Sequence, residues 1–349
     1  MEDQNTQHRR RVRYKGTHPR KFEEKYKELN PEKYTETVNK VIQKGSTPAG
    51  MHRSICVNEI MDFLQVEPGQ VGMDATLGYG GHSTEILKKL NHHGHLYGTD
   101  VDAIELPKTI KRLEERGFGP EDFTGVHTNF SNIDQVVAMA GPLDFVLADL
   151  GVSSMQIDNP DRGFSFKIDS PLDLRLNPLK GVPASERLKE MTEDEIYYML
   201  VENSDEIYAD KIAKAIAICN RKKTLIDTTT KLRELIEETL SFLPSDVRDK
   251  EIKKACQRTF QAIRIDQNNE FEVLYTFLEK LPDSLAKGGK VAILTFHSGE
   301  DRLVKKAFKK GLKDGIYKEI SPEAIRPTPE ECASNGRARS AKLRWAVKE

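Results

Sequence analysis

Three glycines within four positions follow an apolar run that contains Asp74: Gly78, Gly80 and Gly81. The next residues, from Ser83 onward, have the pattern of a helix. Glycine suits a strand-to-helix turn because such a turn needs positive φ angles and lets a ligand approach the bare backbone. The N–H groups that begin the helix lack partners within it and bind anions or carboxylates. The stretch therefore predicts a ligand-binding turn, although glycine-rich turns also occur without a ligand.

A second acidic residue, Asp100, ends the next apolar run about twenty residues further on, the spacing at which a βαβ unit places a carboxylate beside a ribose. Together the two features predict a cofactor that contains a nucleoside. A pyrophosphate fits less well, because Asp74 would repel it and because Ser83 occupies a position where the dinucleotide pattern has glycine or alanine. A ligand with a cationic amine, such as the methionine part of S-adenosylmethionine, fits the acidic first strand better. The alternative is an NAD-dependent dehydrogenase, for which the chain offers no coherent hydride-transfer site.

The chain around this turn alternates between strand-like and helix-like segments. After a helix over 55–64, we predict strands at 71–77, 95–100, 123–128 and 144–150, with helices at 83–91, 102–116 and 131–140. Such alternation is typical of a parallel sheet with helices on both faces, in which ligands bind at the carboxyl ends of the strands. Those ends carry the following side chains: Asp74, Asp100, Phe130 and Asp149. The sequence thus predicts an α/β fold with a site at one edge of the sheet.

The alternation stops after the fourth strand. Residues 156–183 are rich in Pro, Asp, Gly and Arg, and helical patterns follow at 184–191, 193–203, 205–222 and 228–241. The predicted buried face of helix 205–222 contains Ile207, Ile212, Ala215, Ile216 and Cys219. We interpret residues 157–262 as a helical domain inserted into an α/β domain that is formed by 51–156 and 263–349. The second part of that α/β domain would contain a helix at 269–285, a strand at 290–296, a helix at 299–311 and a last strand at 343–347.

The overall composition sets few limits on function. Basic and acidic residues are balanced, 54 against 55, so the net charge does not indicate a nucleic-acid partner. Residues 1–50 form a basic extension with arginines clustered at 9–13, which either follows a phosphate backbone or is simply solvated. The four cysteines lack the paired spacing of a zinc site or a disulfide framework, so neither of these is predicted, and the participation of a metal stays open. No apolar run could span a membrane and the N-terminus lacks the apolar core of a signal peptide, which predicts a soluble cytoplasmic protein.

Seven segments of the chain resemble, in the same order, the S-adenosylmethionine-dependent 16S ribosomal RNA cytosine-N4 methyltransferases known as the RsmH or MraW family. They extend from about residue 52 to the C-terminus, and together they are far more specific than any one of them alone. The matching segments are Asp74-Ala-Thr-Leu-Gly-Tyr-Gly-Gly-His-Ser83, Asp149-Leu-Gly-Val-Ser-Ser154, Arg162-Gly-Phe-Ser-Phe166, Pro171-Leu-Asp-Leu-Arg175, Arg258-Thr-Phe-Gln-Ala-Ile-Arg-Ile265, Phe296-His-Ser298 with Glu300-Asp301-Arg302, and Arg337-Ala-Arg-Ser340.

The resemblance implies a Rossmann-like class I methyltransferase sheet with an inserted all-helical domain. It also implies S-adenosylmethionine as the cofactor, the small ribosomal subunit as the partner, and a cytidine in the decoding region of its RNA as the substrate. By position, the cofactor would be held by the following residues: Gly80, Gly81 and His82 at the methionine end, Asp100 at the ribose, Phe130 at the adenine, and Asp149 and Gln156 in the rest of the pocket.

The chain departs from the family pattern at Val101, Gln267, Gly299 and Gly336, while the cofactor positions are kept. The basic extension is also outside the common pattern. A paralogue that methylates another RNA therefore stays open, as does a non-catalytic RNA-binding factor in ribosome assembly. The oligomeric state stays open between a monomer and a homodimer.

Cytosine N4 is a weak nucleophile because its lone pair is conjugated with the ring, so an acceptor for the amino hydrogens would help methyl transfer. Asp149, or a carbonyl group of residues 150–152, is the candidate acceptor at the end of the fourth strand. The resemblance instead makes Asp149 a cofactor contact. His297, at the end of a later strand, would either orient the base or a phosphate or be structural.

Four arginines are candidate phosphate contacts because guanidinium groups match phosphate oxygens: Arg258, Arg264, Arg337 and Arg339. Intramolecular ion pairs are the alternative for each of them. Phe164 would either stack on a base extruded from the RNA or pack the inserted domain against the rest of the protein.

Overall fold

The computed structural model describes residues 54–349, and the structural statements below concern this part of the chain. The predicted basic extension at 1–50 lies outside the described residues. Within 54–349, no helix combines the length and the apolar character that crossing a membrane requires.

A seven-stranded sheet with the order β3-β2-β1-β4-β5-β7-β6 forms the centre of the described chain. Its strands are β1 (Val71–Asp74), β2 (His95–Asp100), β3 (Phe123–His127), β4 (Leu143–Asp149), β5 (Leu285–Thr295), β6 (Tyr317–Ile320) and β7 (Lys342–Lys348). Strands β1 to β5 run parallel to one another, whereas β7 is antiparallel to both β5 and β6. The arrangement confirms the predicted α/β fold with a Rossmann-like methyltransferase sheet. The sequence analysis missed β6, which is only four residues long.

The central strand β4 explains why the site residues converge at one edge. Its side chains Val146, Leu147 and Ala148 are completely buried, so the strand has an apolar run in place of an alternating pattern. The register places Asp74 of β1 beside Leu147, two residues before Asp149. Because these strands are parallel, the acidic residues that end them lie at the same edge of the sheet.

Helices cover both faces of the sheet and also form a separate group. They are α1 (Val57–Leu64), α2 (Gly81–Leu90), α3 (Glu105–Glu114), α4 (Ile133–Ala140), α5 (Ser154–Asp158), α6 (Ala184–Glu190), α7 (Glu193–Ser204), α8 (Ala209–Arg221), α9 (Thr229–Thr239), α10 (Ser245–Asn268), α11 (Glu270–Ser284), α12 (Ser298–Lys313) and α13 (Pro329–Ser334). Buried side chains of α1, α2 and α3 pack on one face of the sheet, and those of α4, α11 and α12 pack on the other.

The helices α6 to α10 enclose a third apolar core, whose members lie between Phe164 and Ile263 and which shares no residue with the other two. A core of its own is what an inserted helical domain would have, and the division at 157 and 262 stays a prediction. Helix α10 runs through residue 262 without a break, so that predicted boundary falls inside a helix.

The predicted helix over 205–222 is wrong at its start. Asp205 adopts a left-handed conformation with φ +52° and ends α7, so the chain turns before α8 begins at Ala209. Ile207 is therefore not on the buried face and is 65% exposed, whereas Ile212 and Ile216 are completely buried as predicted. The apolar spacing gave no indication of this turn, because the apolar residues keep a helical spacing across it.

Candidate cofactor and substrate site

The glycine turn connects β1 to α2 and has the backbone geometry that the sequence predicts. Gly78 and Gly80 have φ angles of +49° and +74°, in the left-handed region that glycine adopts without strain. A Cβ atom on Gly80 would lie 3.0 Å from Cγ2 of Thr109 on α3, so this position also has little room for a side chain. Helix α2 begins at Gly81, and its first N–H groups have no partners within the helix.

Asp74 is buried at the end of β1, with only 1% of its surface exposed. Its Oδ2 accepts a hydrogen bond of 2.6 Å from the Ser83 hydroxyl, and its Oδ1 accepts one of 3.1 Å from the Thr76 N–H. Burial raises the pKa of Asp74, while the hydrogen bond from Ser83 opposes that rise. The contact explains why serine replaces glycine at position 83, since its hydroxyl fixes the carboxylate beneath the turn.

Asp100 ends β2 and is held on both oxygens by backbone groups. The Gly78 N–H donates to Oδ2 at 2.9 Å, and the Asp102 N–H donates to Oδ1 at 2.8 Å. Burial raises the pKa of Asp100 to about 6. Each carboxylate oxygen has a second lone pair, so Asp100 could still accept hydrogen bonds from two ribose hydroxyls.

His82 and Asp149 carry the unsatisfied polar atoms of this edge. His82 is 5% exposed, and its Nε2 lies 3.5 Å from Oδ2 of Asp149, which is too long for a strong hydrogen bond. Within residues 54–349, neither ring nitrogen of His82 nor Oδ1 of Asp149 has a hydrogen-bond partner. Burial would lower the pKa of His82, but the carboxylates of Asp149 and Asp74 outweigh it and raise the pKa. Orphaned buried polar atoms are rare in proteins and indicate a place for a ligand or an ordered water.

These observations fit S-adenosylmethionine better than a dinucleotide. Three carboxylates at neighbouring strand ends would attract the sulfonium and ammonium groups and repel a pyrophosphate: Asp74, Asp100 and Asp149. Gly78 and Gly81 of the turn are partly exposed beside them, whereas Gly80 is buried. The donors and acceptors without partners at His82 and Asp149 would be satisfied by a polar ligand.

Phe130 and Gln156 lie on segments that follow β3 and β4. Phe130 is half-buried in a short 3₁₀ turn, and its ring contacts the Phe277 ring edge-on with centroids 5.2 Å apart. Gln156 forms a capping box with Ser153 at the start of α5, and its Nε2 donates to Oδ2 of Asp102 at 3.1 Å. The Gln156 side chain is thus tied to the β2 loop.

Sequence reasoning missed a buried ion pair between Asp102 and Arg162. Nη1 of Arg162 lies 2.7 Å from Oδ2 of Asp102, whose side chain is completely buried. Burial would raise the pKa of Asp102, but the hydrogen bonds from Arg162 and Gln156 hold it below its usual value. The available signal was Asp102 just before α3, because its Oδ1 accepts from the N–H groups of Ile104 and Glu105 as a helix cap does.

His297 caps α12 at the carboxyl end of β5. Its Nδ1 accepts from the Glu300 N–H at 3.4 Å, and its Nε2 lies 3.2 Å from Oε1 of Glu300 without the orientation of a hydrogen bond. Ligand atoms of Glu270, His297 and Glu300 lie within 4.8 Å of one another, a spacing that could hold a metal ion. Arg264 already binds Glu270 through two hydrogen bonds of 2.8 and 2.9 Å, which lowers the attraction of this group for a cation.

A second group with metal-ligand spacing joins Cys56, Glu59 and Glu331. Oε1 of Glu331 accepts a hydrogen bond of 3.0 Å from the Cys56 N–H, so this carboxylate already has a structural role. Burial raises the pKa of the Cys56 thiol to about 12, which keeps it protonated near neutral pH.

Most of the proposed RNA contacts are engaged within the protein. Arg258 binds Glu206 through two hydrogen bonds of 3.0 Å, and Arg337 lies 2.9 Å from Asp158. Arg339 is exposed and has no ion pair with any residue of 54–349. Arg264 is paired as described above.

Phe164 is part of the buried core of the helical group. The guanidinium carbon of Arg162 lies 5.8 Å from the centroid of its ring. These contacts favour the packing interpretation of Phe164 over base stacking.

Comparisons with known proteins identify the family of the chain. Residues 49–349 match the family described as the MraW methylase family. A protein of Lachnoclostridium phytofermentans named ribosomal RNA small subunit methyltransferase H 1 is 65% identical over 347 residues, which cover 99% of this chain and 95% of that protein. A protein of Alkaliphilus metalliredigens named ribosomal RNA small subunit methyltransferase H 2 is 62% identical over 348 residues, with 100% of each chain covered.

Among solved structures, a putative methyltransferase from Streptococcus mutans in complex with SAH aligns with 85% of this chain and 100% of that chain. The TM-score is 0.39 and the identity is 14%.

Proposed function

The chain belongs to the MraW methylase family, and from this premise we propose that it methylates N4 of a cytidine in the decoding region of small-subunit ribosomal RNA. S-adenosylmethionine is the methyl donor. The observation that carries the proposal is the sheet edge at which His82 and Asp149 have buried polar atoms without protein partners. This edge offers what an adenosyl sulfonium and an amino group would bind.

The cofactor would be bound by the residues at the ends of β1, β2, β3 and β4. When bound, it supplies a methyl group on a positively charged sulfur. We assign the contacts as follows: Gly80, Gly81 and His82 at the methionine end, Asp74 as a source of negative charge beneath the turn, Asp100 at the ribose, Phe130 at the adenine, and Asp149 and Gln156 in the rest of the pocket.

The chain's own contribution to the reaction is chiefly positioning and proton acceptance. Methyl transfer is a displacement in line, so holding the amino group and the donor in order supplies much of the rate. Oδ1 of Asp149 has no partner within the described residues, so it is free to accept a hydrogen from the amino group of the base. The Asp149 N–H donates to the Thr76 hydroxyl at 2.6 Å, which fixes the start of the β4 loop.

We infer small-subunit ribosomal RNA as the substrate from the names of the two relatives, both of which are ribosomal RNA small subunit methyltransferases. The choice of cytidine N4 follows from the resemblance of the seven sequence segments. Such a substrate would place the enzyme in the cytoplasm. We propose that residues 51–156 and 263–349 carry the cofactor site and that 157–262 recognise the RNA, with Arg339 and His297 as further substrate contacts. The basic extension at 1–50 is a candidate for contacts with the phosphate backbone.

The test is mass mapping of nucleosides from small-subunit RNA of cells with and without this protein. N4-methylcytidine in the decoding region should disappear without the protein and return when the wild-type gene is restored. Its persistence would contradict the assignment of the base, and loss of a different methylated nucleoside would identify a paralogue with another target. If the purified protein failed to bind S-adenosylmethionine, a non-catalytic assembly factor would replace the enzyme as the explanation.

A further inference from the structure

We propose that Arg162 is a positioning residue that couples the cofactor site to the segment leading into the helical core. The inference rests on the proposed function, because it assigns Asp100 to the cofactor. It concerns an ion pair that connects residues far apart in the chain, and it gives that pair a role beyond stability.

The Arg162 guanidinium binds two separate segments at once. Nη1 donates to Oδ2 of Asp102 at 2.7 Å, while Nη2 donates to the carbonyl oxygens of Arg175 and Leu176 at 3.1 and 2.8 Å. A guanidinium is planar, so its donors have fixed relative directions. The position of Asp102 is therefore tied to the position of residues 175–176.

On the cofactor side, Asp102 helps to hold the Asp100 side chain in position. The Asp102 N–H donates to Oδ1 of Asp100, and the Asp102 carboxylate accepts from the N–H groups of Ile104 and Glu105 at 3.0 and 3.2 Å. The loop after β2 is thus ordered around one buried carboxylate. A shift of that carboxylate would move the Asp100 group that we assign to the ribose.

On the other side, the contacts continue to the end of α10. The Leu176 N–H donates to Oδ1 of Asn268 at 2.8 Å, and Nδ2 of Asn268 donates to the Leu174 carbonyl oxygen at 2.8 Å. Hydrogen bonds therefore link Asp100 to Asp102, Asp102 to Arg162, and Arg162 to the Leu176 backbone, which in turn binds Asn268.

Coupling of this kind acts in both directions. A ligand that fixes Asp100 should restrain residues 162–176. Conversely, disorder of that segment should weaken the binding of the ligand. Arg162→Lys keeps the charge but cannot make the three contacts together, because an ammonium lacks the planar fork. We expect the variant to bind S-adenosylhomocysteine about tenfold more weakly.

The test measures two quantities on the full-length protein. Calorimetry gives Kd for S-adenosylhomocysteine, and amide hydrogen exchange of residues 162–176, with and without that ligand, gives the coupling. In wild-type protein the ligand should slow exchange in this segment, and in Arg162→Lys the slowing should be largely lost. The matched control is Arg258→Lys, whose partner Glu206 is also completely buried, and which should lose stability while keeping the wild-type Kd.

The outcomes separate the inference from the proposed function. If wild-type protein does not bind S-adenosylhomocysteine, the proposed function fails. If wild-type protein binds it and folded Arg162→Lys keeps both the Kd and the slowed exchange, Arg162 is merely structural and the inference is overturned. If Arg162→Lys does not fold, Asn268→Ala takes its place, because Asn268 touches neither Asp102 nor Asp100. Ligand-dependent slowing must then fall in Asn268→Ala, and its full retention would equally overturn the inference.

Discussion

A buried pair in the helical group and a buried pair at the sheet edge are partnered differently. In the helical group, Arg258 binds Glu206 through two hydrogen bonds of 3.0 Å, and the carboxylate side chain is completely buried. At the sheet edge, His82 and Asp149 are 3.5 Å apart, and three of their buried atoms have no partner within residues 54–349. The first pair joins α10 to the turn between α7 and α8, while the second pair keeps hydrogen-bonding capacity for a ligand.

The difference predicts where substitutions will act. Removing one member of a paired buried charge leaves the other uncompensated, so the loss falls on stability. Removing an unpartnered group breaks no hydrogen bond in the ligand-free protein, so its stability should change little and the loss should fall on binding or turnover. Similar changes in the two pairs should therefore act on different quantities, stability in the first pair and binding or turnover in the second. The first two predictions below test this difference directly.

The largest expected effect is that of Arg258→Met. The buried Glu206 carboxylate would lose its two charge-assisted hydrogen bonds, and we expect the free energy of unfolding to fall by about 3 to 5 kcal/mol. Denaturant unfolding measures the loss. Arg221→Met is the control, because Arg221 is 63% exposed and its pair with Glu193 at 3.6 Å should contribute under about 1 kcal/mol. Equal losses in the two variants would remove the distinction between the buried and the exposed pair.

The second prediction is a loss of activity with little change in stability. Asp149→Asn should lower the methylation rate about 100-fold or more, since Oδ1 could no longer accept the amino hydrogen as a carboxylate. The Tm should stay near that of wild type, because the lost charge has no close partner except His82. Asp134→Asn is the control, a change of the same kind on the surface of α4, and should leave the rate unchanged. A weaker Kd for S-adenosylmethionine with a normal rate at saturation would assign Asp149 to cofactor binding alone.

The sheet edge could be predicted from the sequence because each part of it is local. An apolar run followed by an acidic residue marks a buried strand and its end, and this pattern occurs at Asp74, Asp100 and Asp149. Parallel pairing then brings the three ends together without further information. The glycine turn is equally local, since its φ angles depend on the glycines themselves.

The ion pairs could not be predicted, because their partners are chosen by tertiary packing. Arg162 and Asp102 are 60 positions apart, and Arg258 and Glu206 are 52 apart. An arginine in a matching segment therefore had two interpretations, an RNA contact and an internal pair, which only the folded chain distinguishes. Strand β6 was missed for a related reason, since its four residues carry only one fully buried side chain, Tyr317.

A third prediction concerns pH. Burial raises the pKa of Asp100 from 3.8 to about 6, so between these values the folded protein binds this proton more tightly than the unfolded chain does. Its contribution to stability is therefore present at low pH and is lost as the pH rises through about 6. We expect this loss to be about 2 kcal/mol, because solvent partly reaches the carboxylate, and to be absent in Asp100→Asn. Denaturant unfolding at several pH values compares the wild-type protein with Asp100→Asn. If their free energies of unfolding changed in parallel with pH, Asp100 would make no pH-dependent contribution to stability.

The smallest effect is expected at Arg339, which belongs neither to the buried pair of the helical group nor to the pair at the sheet edge. Arg339 is exposed on the 3₁₀ helix Gly336–Ser340, so Arg339→Gln should leave Tm and kcat unchanged. If the side chain contacts a phosphate, KM for small subunits should rise a few fold and the salt dependence of binding should weaken by about one unit of slope. The control is Lys88→Gln, which removes an exposed charge from α2, a helix that carries none of the proposed RNA contacts. It should change neither quantity.

An unchanged KM and slope in Arg339→Gln would show that this residue does not contact the RNA. RNA contacts would then have to come from other exposed charges, because Arg258, Arg264 and Arg337 are already paired within the protein.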